Sequence, residues 1–315
     1  MAHKRQISDG GTKCVRRPAD FSQSSPPEIS VADYLVWRDY IKKCCGHFIT
    51  EGRIRFLRQR LWERMLLLNI TKYIDYYHFV AFNPQGGEEW LALLELLVNN
   101  ETSFFRHQPS FLALEECVFP ALRELKEQNN DLTLRMWSAG CSTGQEPYSL
   151  AMTFGEVLAS HPEPLSEGGW GGVKQLIYGT DICLNALEKA RSGVYKPHEL
   201  RQLPEEYLLR YMEKKDVGNK VSYSLVKFIQ EVVKFGYLHL LDPSSYWITA
   251  QDIIFCQNVM IYFESTNRLE LVRRLSQRLN PGGYLFLGPA EVVGLRLPGF
   301  QLINFKDVLL YRKII

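Results

Sequence analysis

A short run of small residues between an extended segment and an amphipathic helix constrains this chain more than any other feature. Residues 137–149 are Trp-Ser-Ala-Gly-Cys-Ser-Thr-Gly-Gln-Glu-Pro-Tyr-Ser. Gly140 and Gly144 allow positive φ and a close approach of the backbone to a ligand, and Pro147 suits the first turn of a helix. The pattern predicts a strand, a glycine turn and a helix, with free backbone N–H groups facing a site above a sheet.

The residues in the turn favour a nucleoside ligand that carries little negative charge. The turn has neither the Gly-x-Gly-x-x-Gly pattern nor a closing Gly-Lys-Ser/Thr. Glu146, just after the second glycine, would repel a pyrophosphate but can accept hydrogen bonds from a sugar. A bare Gly-x-x-x-Gly is as often an ordinary connection between a strand and a helix, so the rest of the chain has to decide between the two interpretations.

From residue 132 onward, segments typical of strands alternate with segments typical of helices. The predicted strands are Leu134–Ser138, Gln175–Thr180, Val233–Leu238, Asp252–Cys256 and Gly283–Gly288, followed by a terminal hairpin of Phe300–Phe305 and Val308–Arg312. This alternation predicts a doubly wound parallel α/β sheet. The ligand of such a sheet binds beyond the carboxyl ends of its strands.

Polar residues follow two of these strands at that edge. Asp181 ends the second strand, where a carboxylate can accept hydrogen bonds from both hydroxyls of a ribose. The alternative is an N-cap for the helix predicted at Leu184–Ser192, but the glycine turn favours ribose binding. Asn258 and Tyr262 follow the fourth strand and are expected at the same edge.

The part of the chain before residue 99 has a different character. Residues 1–28 are polar and predict a disordered tail. Residues 29–98 contain amphipathic segments with helical spacing and predict a small all-helical domain. Residues 99–315 form the α/β domain, in which residues 195–235 interrupt the alternation and predict a small inserted β-subdomain.

The second predicted helix of the N-terminal domain is rich in arginine. Arg53, Arg60 and Arg64 share one of its faces. An ordinary solvated face explains such a pattern, and so does a surface that meets an acidic partner. The formal net charge of the 315-residue chain is only +2, so nucleic acid is not an expected partner.

The seven cysteines are scattered and odd in number, which predicts free thiols and a reducing cytoplasm rather than a disulfide framework. Their spacing does not suggest a metal site. No run reaches the roughly 20 apolar residues that a membrane helix needs, and no apolar run follows the first basic residues, so neither membrane insertion nor a secretory signal is expected.

Five segments, in this order and at these spacings, resemble the CheR family of chemotaxis-receptor methyltransferases over roughly residues 30–315. They are Asn-x-Thr-x-Phe-Phe-Arg at 100–106, the glycine turn at 137–149, Asp181 with Glu-Lys-Ala-Arg-Ser-Gly-Val-Tyr at 188–195, Phe-Cys-x-Asn-Val-Met-Ile-Tyr-Phe at 255–263, and Leu-x-Pro-Gly-Gly at 279–283. The resemblance implies a helical N-terminal domain and a methyltransferase domain that carries a small β-subdomain and binds S-adenosylmethionine.

The resemblance also implies a reaction: methyl transfer to glutamate carboxylates in the cytoplasmic helices of methyl-accepting chemoreceptors. Arg106 and Tyr262 are the implied catalytic residues, with Tyr262 beside the transferred methyl group. The implied cofactor contacts are Asn100, Thr102, Arg106, Gly140, Glu146, Asp181, His239, Leu240, Gln257 and Asn258. The basic face of Arg53, Arg60 and Arg64 becomes the candidate receptor-docking surface.

The chemistry agrees with these residue types. A glutamate side chain has a pKa of about 4.3 and is already ionised at neutral pH, so methyl transfer requires alignment of the reactants rather than a strong base. Arg106 is suited to hold a carboxylate in a bidentate contact, and the sequence does not decide whether that carboxylate belongs to the cofactor or to the acceptor.

Two departures from the family pattern leave alternatives open. Gln257 stands where the family usually has arginine, and His239 stands where it usually has asparagine. The loss of a cation near the reacting centre allows a methyltransferase with a different acceptor, or a non-catalytic signalling partner that binds the cofactor. Residues 217–220 do not settle whether a loop for a receptor tail peptide exists.

Overall fold

The N-terminal part of the chain is helical, as the sequence predicts. The computed structural model describes residues 25–217, 220–292 and 295–314. The helices of this part are α1 (Val31–Cys45), α2 (Ile54–Leu67), α3 (Tyr73–Phe82) and α4 (Gly86–Leu97). Ser30 caps α1 by accepting a hydrogen bond from the backbone N–H of Asp33, which satisfies a donor that the helix leaves free. The four helices enclose an aromatic-rich core around Trp37 and Tyr76.

Most of the predicted tail, residues 1–24, lies outside the described residues. Its last residues contact the helical domain. The Tyr73 hydroxyl donates a hydrogen bond of 2.9 Å to the carbonyl of Pro27, and Glu28 forms an ion pair of 2.5 Å with Arg58. The contacts of the helical domain therefore begin before α1.

Arg64 does not share the free surface that the sequence analysis assigned to it. Its guanidinium makes a two-pronged contact with Glu89 of α4, at 2.9 Å and 2.6 Å. Glu89 is 7% exposed and also accepts a hydrogen bond from the Tyr76 hydroxyl. A buried carboxylate needs a cation, so Arg64 holds α2 to α4 and is not available for docking.

We expect Arg64→Ala to lower the free energy of unfolding by about 2–3 kcal/mol, because it leaves Glu89 buried with only a hydroxyl partner. Chemical denaturation measures the change. Arg55→Ala, at an exposed position of the same helix, is the matched control and should change stability by less than about 0.5 kcal/mol. Equal losses in the two variants would contradict the structural role of Arg64.

The second part is a layered α/β domain. Its helices are α5 (Gln108–Ala113), α6 (Phe119–Asn129), α7 (Gln145–Ser160), α8 (Leu184–Ser192), α9 (Glu205–Tyr211), α10 (Lys227–Val232), α11 (Ser265–Arg278) and α12 (Pro289–Val292). Its strands are β1 (Thr133–Ala139), β2 (Lys174–Asp181), β3 (Val194–Tyr195), β4 (Met212–Val217), β5 (Lys220–Leu225), β6 (Val233–Tyr237), β7 (Gln251–Cys256), β8 (Leu279–Leu287), β9 (Phe300–Phe305) and β10 (Val308–Lys313).

Seven strands form the main sheet in the order β6-β2-β1-β7-β8-β10-β9. The first five are parallel, and the terminal hairpin β9–β10 adds antiparallel to β8. The predicted doubly wound sheet is confirmed. The chain first builds outward from β1 to β2 and β6, then returns to the other side of β1 with β7. This reversal is the switch point at which such sheets bind ligands.

The inserted β-subdomain consists of β3, β5 and β4 in that order. The sequence predicts short strands here, but the described residues also include two helices, α9 and α10, that it does not predict. Both helices pack apolar side chains on the main core, among them Tyr211 and Ile229. Residues 218 and 219, the centre of the candidate receptor-tail loop, lie outside the described residues.

Candidate active site

A cleft lies at the switch point, where the carboxyl ends of β1, β2 and β7 meet the helical domain. It encloses about 1070 Å³ of space, part of which is open to solvent. Most of the predicted site residues line it: Asn100, Thr102, Arg106, Gly140, Glu146, Asp181, Leu240, Gln257, Asn258 and Tyr262. The topology therefore brings together residues that are more than 160 positions apart in the chain.

The glycine turn follows β1 as predicted, and its backbone geometry requires glycine. Gly140 has φ +88°, and a Cβ there would lie 2.5 Å from a methyl carbon of Val259. The prediction of free N–H groups is wrong for most of the turn. Gly140 and Cys141 donate to the carbonyl of Thr180, and Gly144 donates to that of Cys141. With these donors used internally, the turn is a poor site for a phosphate.

Asp181 organises the turn from the end of β2. Its carboxylate accepts the backbone N–H of Ser142 at 2.8 Å and that of Cys183 at 2.9 Å. The N-cap position of α8 belongs to Cys183, so Asp181 does not occupy the cap that was the alternative interpretation. Asp181 also lines the cleft, where a carboxylate can accept further hydrogen bonds from a ligand. Burial raises the pKa of this carboxyl above its ordinary value.

Glu146 lies in the first turn of α7 and accepts a hydrogen bond of 2.6 Å from the Ser138 hydroxyl. Burial raises the pKa of Glu146 to about 7, against the opposing effects of Ser138 and Arg106. The nearby Glu291 carboxylate adds to this rise. Glu146 and Asp181 make one side of the cleft a surface of hydrogen-bond acceptors.

Because the pKa of Glu146 is raised, the free energy of unfolding of the ligand-free protein is expected to depend on pH. Because the folded-state pKa exceeds the ordinary 4.5, the folded protein binds an extra proton between about pH 4.5 and 7, and stability falls as pH rises through this range. The thermal unfolding midpoint of Glu146→Gln minus that of wild type should therefore be larger at pH 8 than at pH 5. Calorimetry checks this, with the exposed Glu127→Gln as a control whose midpoint difference stays nearly constant. A constant difference for Glu146→Gln would contradict the prediction.

The linker at residues 99–107 forms the wall between the two domains. Phe105 has a left-handed φ of +51°, is buried, and donates its N–H to the Ser149 hydroxyl at 3.0 Å. The Ser142 hydroxyl donates to the carbonyl of Asn100 at 3.0 Å, which ties the linker to the glycine turn. Arg106 is thereby held at the cleft, where it donates to the carbonyl of Glu101 at 2.8 Å.

Glu291 supports the site and was not predicted as a site residue. It is 8% exposed, and its carboxylate accepts the backbone N–H groups of Gly288, Asn258 and Ile261 at 2.7, 3.1 and 3.2 Å. These bonds hold Asn258 in a left-handed conformation with φ +61°. The signal in the sequence was a carboxylate just beyond the end of a predicted strand.

His47 is a second residue that sequence analysis missed. Its ring packs on that of Tyr262 with centroids 4.8 Å apart, and the N–H of Phe48 donates to the Tyr262 carbonyl at 2.9 Å. The helical domain therefore orients Tyr262. Burial, and to a smaller extent Arg53, lower the pKa of His47 to about 4, so the ring is neutral at pH 7. The sequence offered no metal or base partner that would single it out.

His239 is not among the residues that line the cleft. Its neighbours Leu238 and Leu240 line the cleft, just after the end of β6. The imidazole instead has the backbone of Cys45 as a hydrogen-bond partner, and burial lowers its pKa. His239 thus contacts the helical domain, and its assignment as a cofactor contact is not supported by its position.

Among residues 25–217, 220–292 and 295–314, no cluster of three or more His, Cys, Asp or Glu side chains is suited to hold a metal ion. In the same residues no helix is long and apolar enough to cross a membrane.

The lining fits S-adenosylmethionine. The carboxylates of Asp181 and Glu146 are acceptors for ribose hydroxyls and amino groups, while Leu238, Leu240 and Phe111 supply apolar surface for a base. Arg106, which also lines the cleft, offers a cation for a carboxylate. When bound, the cofactor supplies an electrophilic methyl group on a sulfonium centre.

Comparisons with known proteins identify the family of this chain. The sequence model of the family described as "CheR methyltransferase, SAM binding domain" matches residues 100–308, and that of "CheR methyltransferase, all-alpha domain" matches residues 32–98. The chain is 30% identical to chemotaxis protein methyltransferase 2 of Vibrio cholerae over 90% of this chain and 94% of that protein. It is 37% identical to the chemotaxis protein methyltransferase of Escherichia coli over 78% of this chain and 79% of that protein.

The fold and the site thus define an S-adenosylmethionine-dependent methyltransferase. More narrowly, the chain belongs to the CheR methyltransferase family and is an enzyme of chemotaxis signalling.

Proposed function

We propose that this enzyme transfers methyl groups in the cytoplasm to glutamate side chains in the helical cytoplasmic domain of methyl-accepting chemotaxis receptors. A glutamate oxygen accepts the methyl group and becomes a methyl ester. Residues 29–98 serve as the receptor-facing domain, and residues 99–315, with the insertion at 195–235, serve as the methyltransferase domain.

The observation that carries this proposal is the place where the two domains meet. Tyr262 lies in the cleft and packs on His47 of the helical domain. Arg53 immediately precedes α2 and contributes to the lowered pKa of His47, which lines the cleft. This supports a basic face of α2 that starts on the side of the cleft. An acceptor that lies along this face can extend a side chain toward Tyr262 and Arg106.

We propose that the docking surface consists of Arg53, Phe56 and Arg60. Both guanidinium groups contact the Phe56 ring, with Arg53 at 4.5 Å and Arg60 at 5.3 Å from its centroid. This arrangement holds two cations on one face of the helix. Arg60 also pairs with Glu63 at 3.1 Å, a partly exposed contact of small net value. Such a surface suits a helix rich in glutamate.

Charge reversal at Arg53 and Arg60 tests the docking surface. The double variant Arg53→Glu/Arg60→Glu should raise the KM for a receptor cytoplasmic fragment at least about 10-fold, since like charges then oppose the acidic helix. Its Kd for S-adenosylhomocysteine should stay within twofold of wild type. Arg55→Glu, on the opposite face of α2, is the control and should leave both constants unchanged. An unchanged receptor KM in the double variant would reject this surface.

A further inference from the structure

His107 forms part of the cleft wall beside Arg106. It is half-buried and is one of the residues that line the cleft. Its Nδ1 lies 2.8 Å from the hydroxyl oxygen of Ser110. Ser110 itself is fully buried, so its hydroxyl has no water to use as an alternative partner and needs a hydrogen-bond acceptor in the protein.

A third side chain decides the direction of that hydrogen bond. The Gln257 Nε2 lies 2.9 Å from the Ser110 hydroxyl and 3.4 Å from the carbonyl of Leu287. A carbonyl only accepts, so the amide nitrogen of Gln257 faces both groups and donates to each. The Ser110 oxygen therefore accepts from Gln257, and its own proton points to Nδ1 of His107.

The tautomer of His107 follows from this chain of hydrogen bonds. A neutral imidazole carries one proton, and which nitrogen holds it depends on the partner of the other nitrogen. Since Nδ1 accepts from Ser110, the proton is on Nε2. Burial lowers the pKa of His107, which keeps the ring neutral and the arrangement intact at pH 7.

We propose that His107 donates a hydrogen bond from Nε2 to a carboxylate bound in the cleft, next to Arg106, and that Ser110 and Gln257 hold the ring in the tautomer that does so. The inference rests on the proposed function, in which both reactants carry a carboxylate: the amino-acid end of the cofactor and the acceptor glutamate. Gln257 then acts through Ser110 as a positioning residue rather than as a direct contact.

The tautomer is tested without turnover. The ¹⁵N spectrum of the imidazoles in the full chain, compared with that of His107→Leu to identify the His107 signals, should show Nε2 protonated and Nδ1 bare. Ser110→Ala and Gln257→Leu should shift the population toward Nδ1–H. A protonated Nδ1 in the wild type would overturn the inference.

The Kd of S-adenosylhomocysteine and the KM for the receptor together test whether His107 donates a hydrogen bond and show which carboxylate accepts it. A hydrogen bond to a charged group corresponds to roughly a 10- to 100-fold change. If the cofactor's carboxylate is the partner, His107→Leu should raise the Kd of S-adenosylhomocysteine by that factor. If the acceptor is the partner, that Kd should stay unchanged and the receptor KM should rise instead. His107→Gln, which keeps a donor near the position of Nε2, should recover most of the loss.

Failure of this inference is distinct from failure of the proposed function. If both constants are unchanged in His107→Leu while wild type methylates receptors, His107 holds no carboxylate. If wild type transfers no methyl group to receptors, the proposed acceptor is wrong, and the spectrum and the Kd of S-adenosylhomocysteine still decide whether His107 donates to the carboxylate of the cofactor.

Discussion

Arg106→Ala is expected to reduce kcat/KM for methyl transfer to below about 1% of wild type. Arg106 lies in the cleft, and its guanidinium uses one N–H for the carbonyl of Glu101. Within the described residues this is the one hydrogen bond of its side chain, which leaves donors for a carboxylate, and a bidentate contact fixes both position and orientation. Since alignment is the main contribution that this reaction requires from the protein, its loss is costly. Radiometric methyl transfer to receptor fragments measures it.

Two companion variants make the result interpretable. Arg106→Lys keeps the positive charge but cannot make the bidentate contact of a guanidinium group, so its activity should lie between those of wild type and Arg106→Ala. Arg201→Ala, at an exposed arginine outside the cleft, should be near wild type. Near-normal turnover of Arg106→Ala would remove Arg106 from the catalytic site.

Asp181→Asn is expected to raise the Kd of S-adenosylhomocysteine by at least about 100-fold. The carboxylate of Asp181 is expected to accept hydrogen bonds from both ribose hydroxyls, and these bonds become weaker when a neutral amide replaces the charged acceptor. The amide also directs an NH₂ group at one of the two backbone N–H groups that the carboxylate now accepts, from Ser142 and Cys183. Isothermal titration calorimetry measures the constant, with the exposed Asp307→Asn as control.

A modified ligand separates ribose binding from damage to the turn. An analogue of S-adenosylhomocysteine without the two ribose hydroxyls should bind wild type weakly, and Asp181→Asn should weaken it little further, because the two changes remove the same interaction. If Asp181→Asn weakens binding of the analogue by the same factor as binding of S-adenosylhomocysteine, Asp181 supports the glycine turn and does not bind the ribose.

The sequence predicted the sheet well because its patterns are local. Each predicted strand overlaps an observed one, and Asp181 and Asn258 follow the strands that the alternation identified. The glycine turn was also a local signal, because glycine has no Cβ and adopts the positive φ seen at Gly140 without a steric penalty. These features depend on periodicity and on backbone sterics, which one segment reveals by itself.

The missed features depend on contacts between distant segments. Arg64 pairs with Glu89 because α2 packs on α4. Glu291 becomes a site residue because α12 places its carboxylate against the backbone N–H of Asn258. His239 was predicted to contact the cofactor because of its place in a motif, but the cleft is lined by its two neighbours, Leu238 and Leu240. The helices α9 and α10 are short, and their apolar faces have meaning only against the core of the main domain.

Transfer of tritium from labelled S-adenosylmethionine to a receptor cytoplasmic fragment tests the central claim most directly. We predict incorporation that is released as volatile methanol on mild base treatment, because a glutamyl methyl ester is hydrolysed under these conditions and an N-methyl product is not. Mass spectrometry should then map the label to glutamate side chains. Tight binding of S-adenosylmethionine with no base-labile label on the receptor would contradict the account.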